Sequence, residues 1–199
     1  VIGGAIEECK KLAEKLDAPV CNGYQHNDSF PGSHPLAVGP LGYNGSKAAM
    51  ELISKADVVL ALGTRLNPFS TLPGYGIDYW PKNATIIQVD MNPDRIGLTK
   101  KVTVGICGDA KQVTQQILDK LSSDAGNTGR EDRKNLIHKT KSAWLQTLAG
   151  LDHEEDDPGT VWNKEARERD KDRMSPRQAW RANQDAIPKD AIIPSDIGN

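Results

Sequence analysis

The first 121 residues predict an α/β fold, a parallel Rossmann-like sheet flanked by helices, and three observations carry that prediction. Helical and strand periods alternate along the segment, the order that parallel strands joined by crossover helices produce. The run Val58 to Leu62 is apolar at every position, as expected of a central strand covered on both faces. Short glycine turns stand where strands end, at Gly63 and Gly108, and Asp109 is placed to cap the helix that follows.

Taken in order, Val1-Ile2-Gly3-Gly4 reads as the tail of a strand running into a helix start. Ile6, Cys9, Leu12, Ala13 and Leu16 recur at helical spacing with Glu and Lys on the other face, which predicts an amphipathic helix. Pro19 to Asn22 is a short strand, and a long loop follows it. A helix from Ser46 to Lys55 then leads into the strand Asp57 to Leu62. Beyond an irregular stretch rich in Gly, Pro and aromatics, Ile86 to Asp90 and Val102 to Ile106 are the next two strands. The helix opened by Gly108-Asp109 carries Val113, Ile117, Leu118 and Leu121 on one stripe.

Composition changes at Ser122, so residues 122–173 are expected to form a charged helical connector. Ser122 to Gly129 is polar, Arg130 to Leu151 returns to helical spacing with Ile137, Trp144, Leu145, Leu148 and Leu151, and Trp162 to Arg173 is almost wholly charged. Residues 174–199 read as the first helix and first strand of a second α/β domain. Ser175 is the N-cap, Pro176 sits at the first helical position, Pro188 ends the helix, and Ala191 to Ile193 starts the strand. Asn183 interrupts the apolar stripe of Ala179, Trp180 and Ile187. Both chain ends read as cuts from a longer polypeptide.

The 25 Lys and Arg nearly balance the 27 Asp and Glu, which leaves no global field to gather nucleic acid or an anionic membrane. Cys9, Cys21 and Cys107 are odd in number and far apart, and they read as small buried hydrophobes in a reducing compartment. The longest apolar runs are too short to span a bilayer and no signal peptide is visible, which favours the cytoplasm.

One constellation suggests a nucleotide-type site at the carboxyl ends of the strands, where open α/β sheets hold ligands. It comprises Gly42-Tyr43-Asn44-Gly45, Gly63-Thr64-Arg65, Asp90 and Gly108-Asp109-Ala110. Glycines admit phosphates to the backbone and an Asp at a strand end can hold a ribose. Turn chemistry is the plainer account of each glycine. His26 and His34 lie in a loop with Tyr24, Asn27 and Asp28, where a His near a carboxylate can move protons or hold an anion, although a loop His bonded to backbone is the plainer reading. The acidic run beside His153 reads as a solvated linker, and each Trp as a packing residue.

The order FPGSHPLAVGPLGYNG, ADVVLALGTRL, IIQVDMNPDRIG, VGICGDA resembles the middle (DHS-like) domain of thiamine diphosphate-dependent enzymes of the acetolactate synthase type. The tail, RMSPRQAW followed by AIIPSDIGN, is similar to the entry to their diphosphate-binding domain. Within that superfamily, the segments from Tyr24 to Trp80 and from Asp94 to Lys111 resemble the sulfoacetaldehyde acetyltransferase family most.

The resemblance implies a thiamine diphosphate and Mg2+ enzyme that turns sulfoacetaldehyde and phosphate into acetyl phosphate and sulfite, with the cofactor as electron sink. It places the cofactor-activating Glu and the metal motif outside these residues, so the piece alone is expected to be inactive. Ile197, Gly198 and Asn199 match the turn that meets the diphosphate. In flavin-containing relatives, the positions matching Gly42, Tyr43, Gly63, Arg65, Asp90 and Asp109 line an FAD. Here Gly63-Thr64-Arg65-Leu66-Asn67-Pro68-Phe69 keeps the first Arg of their GARFDDR pattern and lacks both acids and the second Arg, which argues against bound flavin. The His26 and Asn27 loop and Arg65 are the candidates for holding the sulfonate and phosphate, and a homodimer or homotetramer is implied. The rival readings are another enzyme of the superfamily, such as an acetolactate synthase, and a sirtuin-like nucleotide-binding module. The sirtuin type would need a Gly-Ala-Gly loop and four zinc-binding cysteines, which this sequence lacks.

Overall fold

The computed structural model describes residues 2–23, 26–42, 45–151, 176–188 and 191. They fall into two compact units, Val1–Trp144 and Leu145–Asn199. The first holds helices α1 (Ile6–Leu16), α2 (Lys47–Ile53), α3 (Ala110–Lys120) and the start of α4 (Arg130–Leu151). Its strands are β1 (Val20–Asn22), β2 (Ala37–Pro40), β3 (Val58–Leu62), β4 (Thr85–Asp90) and β5 (Val104–Cys107). β1 pairs with β2, β3 with β4 and β4 with β5, every pair parallel. The α/β class with parallel strands and flanking helices is thus the one the alternating periods predict.

Two details of the sheet differ from expectation. β2 lies inside what reads as a long loop, because Gly39 and Pro40 interrupt any strand pattern. Gly39 has φ 91, and a Cβ on it would come within 2.8 Å of the Ser46 Cβ, so this strand glycine marks the close approach of the α2 N-terminus. The second difference concerns the centre of the ladder. β3 pairs only with β4 among the described residues and leaves Val58 51% exposed, whereas β4 lies between β3 and β5. Apolarity along β3 reports covered faces, not the number of strand partners.

The helices form for local reasons. Ser46 accepts from the Ala49 N–H at 3.3 Å and Asp109 from the Gln112 N–H at 3.0 Å, so α2 and α3 both begin on side-chain caps. α1 ends where Asp17 turns left-handed, with φ 46. The main core gathers Phe30, Leu36, Val38, Met50, Ile53, Tyr79 and Ile137, and a smaller cluster holds Ala61, Leu66 and Ile86. Ile137 belongs to α4, so the segment that composition marks as connector contributes to this core.

Two arginines explain that packing. Arg133 donates to the carbonyls of Leu16 at 2.8 Å, Asp17 at 3.1 Å and Thr128 at 3.1 Å, and Arg130 pairs with the Asp17 carboxylate. They occupy the carbonyl end of α1, where cations are favoured. Trp144 meets Tyr75 edge-on, with centroids 5.6 Å apart.

In the second unit, α5 (Pro176–Ala186) is the helix expected there. Asn183 is exposed, and so is Trp180 at 58%, so among the described residues the stripe is not a buried face and Trp180 is not the packing residue expected. The expected cap Ser175 and the strand residues Ile192 and Ile193 lie outside the described residues, as do His153 and Trp162.

Candidate functional site

The carboxyl ends of β3, β4 and β5 lie side by side, and two short backbone bonds join them. Gly63 N–H donates to Val89 at 2.8 Å, and Gly108 N–H donates to Asp90 at 3.1 Å. Leu66 N–H bonds the Thr64 hydroxyl at 3.1 Å, closing the turn after β3. Gly63 and Leu66 have φ 61 and 52, so Arg65 stands between two left-handed residues. For a Leu that conformation is strained, and burial to 7% holds it. Arg65 itself is exposed and makes no hydrogen bond or ion pair among the described residues.

Asp90 is 7% exposed and its Oδ1 accepts from Asn92 N–H at 2.9 Å. That bond builds an Asx-type turn, so at least one carboxylate oxygen has a structural duty. Asp109 caps α3 through Oδ1, and a Cβ on Gly3 would lie 3.2 Å from its Oδ2. A Cβ on Gly63 would lie 3.8 Å from the Ala110 Cβ, an ordinary contact. Gly3, Gly63, Asp90 and Asp109 therefore gather at one edge, with Arg65 on the same turn as Gly63.

Gly42 has other neighbours. Its φ is 91, and a Cβ there would lie 1.8 Å from the Phe69 carbonyl oxygen and 2.7 Å from the Ser70 Cα. It is a packing glycine whose open side is filled by backbone. Tyr43 lies outside the described residues, as do Ile197, Gly198 and Asn199.

His26 and Asn27 are exposed, and their loop is organised through backbone: the His26 carbonyl accepts from Asn22 Nδ2 at 3.2 Å and Ser29 Oγ at 2.8 Å. His34 has a structural role. Its Nδ1 accepts from Leu36 N–H at 3.2 Å, which leaves Nε2–H to donate to Glu14 Oε1 at 3.1 Å. Its carbonyl takes a bond from Lys141 at 3.0 Å, and burial lowers the pKa of that ammonium.

Burial pushes the Cys21 thiol up to about 11 and raises that of Cys9, in keeping with unreactive packing residues. Cys107 corrects the uniform reading of the cysteines: it is exposed at the end of β5, its thiol 3.5 Å from the Met91 carbonyl. Tyr79 is 1% exposed and donates to the Ser70 carbonyl at 3.1 Å; burial pushes its hydroxyl up to about 12. Among the described residues, no group of three or more His, Cys, Asp or Glu is gathered to hold a metal ion. No described helix is long and apolar enough to cross a membrane.

Sequence reasoning passed over Gln88. It is 1% exposed on β4 and bonds Thr64, Arg95 and Gly97, which flank this edge. The available signal was a lone amide inside the apolar strand Ile86 to Val89, since a buried polar side chain must find partners.

Comparison with known proteins gives this edge its context. The chain is 77% identical over 199 residues to the "Probable sulfoacetaldehyde acetyltransferase" of Rhizobium meliloti (strain 1021), covering 100% of this chain and 34% of that protein. Identity to the "Sulfoacetaldehyde acetyltransferase" of Roseovarius nubinhibens is 72% over 199 residues, with 100% and 33% covered. The "Probable acetolactate synthase large subunit" of Methanocaldococcus jannaschii is 35% identical over 151 residues, covering 76% of this chain and 23% of that protein. The chain thus spans about a third of the length of the first two relatives. Residues 1–117 match the family described as thiamine pyrophosphate enzyme, central domain. That match takes in all five parallel strands and most of α3, and by it the chain belongs to the thiamine pyrophosphate enzyme family.

Proposed function

We propose that this chain is part of a sulfoacetaldehyde acetyltransferase, which converts sulfoacetaldehyde and phosphate into acetyl phosphate and sulfite. The observation that carries the reading is 77% identity, unbroken over all 199 residues, to a relative of that name. Identity to the acetolactate synthase relative is 35% and stops short of the full chain. The full-length protein uses thiamine diphosphate with Mg2+, works in the cytoplasm and assembles as a homodimer or homotetramer.

The described residues offer the cofactor no metal-holding cluster, and Ile197, Gly198 and Asn199 are proposed as this chain's contribution to the diphosphate turn. What the described residues offer is anion recognition. Both substrates are anions, and Arg65 is a permanent cation on a turn fixed at Gly63 and Leu66. His26 and Asn27 are exposed and free to contribute from their loop. Gly63, Asp90 and Asp109, together with Gly42 and Tyr43, are the remnant of a nucleotide-type layout. Flavin is not expected there, because Asn67, Pro68 and Phe69 replace the acids and second Arg, and because Phe69 backbone fills the space at Gly42.

The test is to incubate the full-length protein with sulfoacetaldehyde, phosphate, thiamine diphosphate and Mg2+ and to measure sulfite and acetyl phosphate. Equimolar release of both supports the assignment. Acetolactate formed from pyruvate, without sulfite release, would replace it with the synthase reading. Arg65→Ala should raise the KM for phosphate or sulfoacetaldehyde, and unchanged saturation by both would remove Arg65 from the site.

A further inference from the structure

Gln88 sits at 1% exposure on β4, between β3 and β5, with its amide at the junction of two loops. Nε2 donates to the Thr64 carbonyl at 2.9 Å and to the Arg95 carbonyl at 3.1 Å. Oε1 accepts from the Gly97 N–H at 2.8 Å. Both amide hydrogens and its oxygen are used, so the group meets two carbonyls and one N–H at once. A carboxylate would lose both donors, and an apolar side chain would take away the bonds to the Thr64 carbonyl and the Gly97 N–H and leave the Arg95 carbonyl only the long 3.4 Å bond from Leu98 N–H.

The place of these bonds matters more than their number. Thr64 directly precedes Arg65, and the turn is fixed at three further points: Gly63 with φ 61, Leu66 with φ 52, and the Leu66 N–H bond to the Thr64 hydroxyl. The second anchor, from Arg95 to Gly97, lies in the segment after β4. Gln88 therefore ties the turn that presents Arg65 to the neighbouring loop through one rigid strand. A bland structural reading assigns Gln88 only to satisfying buried carbonyls. That reading does not account for both loops meeting on one side chain beside an exposed Arg that has no partner among the described residues.

We propose that Gln88 is a positioning residue for Arg65, fixing the turn that presents its guanidinium to an anionic substrate. The inference rests on Arg65 serving as an anion contact, as put forward above. A side chain held in place loses less freedom on binding than a mobile one, so loosening the turn weakens substrate binding and leaves the chemical step nearly untouched.

The experiment is a double-mutant cycle in the full-length protein at saturating thiamine diphosphate and Mg2+, with Arg65→Ala, Gln88→Glu and their combination. Gln88→Met, uncharged and close in size, serves alongside Gln88→Glu in case the charged variant does not fold. Arg65→Ala is expected to raise the KM for one anionic substrate by about tenfold or more, the range of a lost charge-assisted bond. Each folded Gln88 variant should raise the same KM by about threefold to tenfold with kcat within about twofold, and should add nothing in the Arg65→Ala background. A KM rise of equal size with and without Arg65 overturns the proposal. So does a lower unfolding temperature with both KM values unchanged, and in that case Arg65→Ala still raising KM leaves the anion role of Arg65 intact. If Arg65→Ala leaves both KM values unchanged, the anion role falls and the positioning role falls with it.

Discussion

Gly42 separates two meanings of a glycine, and replacing it with alanine tells them apart. A phosphate-cradling glycine tolerates a methyl group in the free protein and loses ligand. A packing glycine loses the fold. At Gly42 the added Cβ would sit 1.8 Å from the Phe69 carbonyl oxygen, where ordinary contact begins at 3.4 Å. The obstruction is backbone, so no side-chain rotation relieves it, and the segment Pro68–Ser70 must move. Overpacking of this kind costs about 1–3 kcal/mol. The φ of 91 costs an alanine about 1 kcal/mol or more in addition. Gly42→Ala should therefore destabilise by about 2–4 kcal/mol, read as a lower urea midpoint at unchanged slope. Gly32, which has open space around it, is the control, and Gly32→Ala should fall within about 0.5 kcal/mol of the parent. A Gly42→Ala protein as stable as the Gly32→Ala protein would refute the packing argument and reopen Gly42 as a ligand cradle.

Other expectations follow from contacts described above. Arg133→Ala removes the donors that close the carbonyl end of α1 and should cost about 2–4 kcal/mol in urea unfolding; a loss below about 0.5 kcal/mol would mean that solvent replaces them. With the thiol of Cys21 pushed up to about 11, alkylation near neutral pH should mark Cys107 well before Cys21, and peptide mapping that found Cys21 labelled first would contradict the burial of β1. Tyr79 has its folded pKa raised to about 12, above the ordinary value near 10, so its contribution is complete below pH ~10 and is lost as pH rises towards 12. Tyr79→Phe should flatten that alkaline decline, and a slope identical in both proteins would assign the decline elsewhere.

What the sequence disclosed and what it hid divide along the range of the interactions. α1, α3 and the strands β1, β3, β4 and β5 are legible because each carries its period within a few residues. β2 is not, since Gly39 answers to Ser46 on the next helix. The place of β3 in its ladder is hidden for a similar reason: its residues describe its faces and say nothing of its edges. The packing of α4 depends on Arg133 reaching carbonyls 116 and 117 positions back along the chain, beyond any local pattern. Charge marks residues 122–173 as a connector, while Arg130 and Arg133 within it close the end of α1.

The same division bears on the candidate site. Gly42 and Gly63 are indistinguishable as letters, each a glycine beside a strand end. Their surroundings differ: backbone fills the space at Gly42, whereas Gly63 is exposed and meets only the Ala110 side chain at ordinary distance. A ligand approaching this sheet would find room beside Gly63, Asp109 and the turn of Arg65, and Phe69 in its way at Gly42. Of the two glycines that the sequence places in one nucleotide-type layout, Gly42 is thus closed off by backbone and Gly63 is not. On the Gly63 side an anion would meet a guanidinium that has no partner among the described residues, on a turn held by the left-handed Gly63 and Leu66.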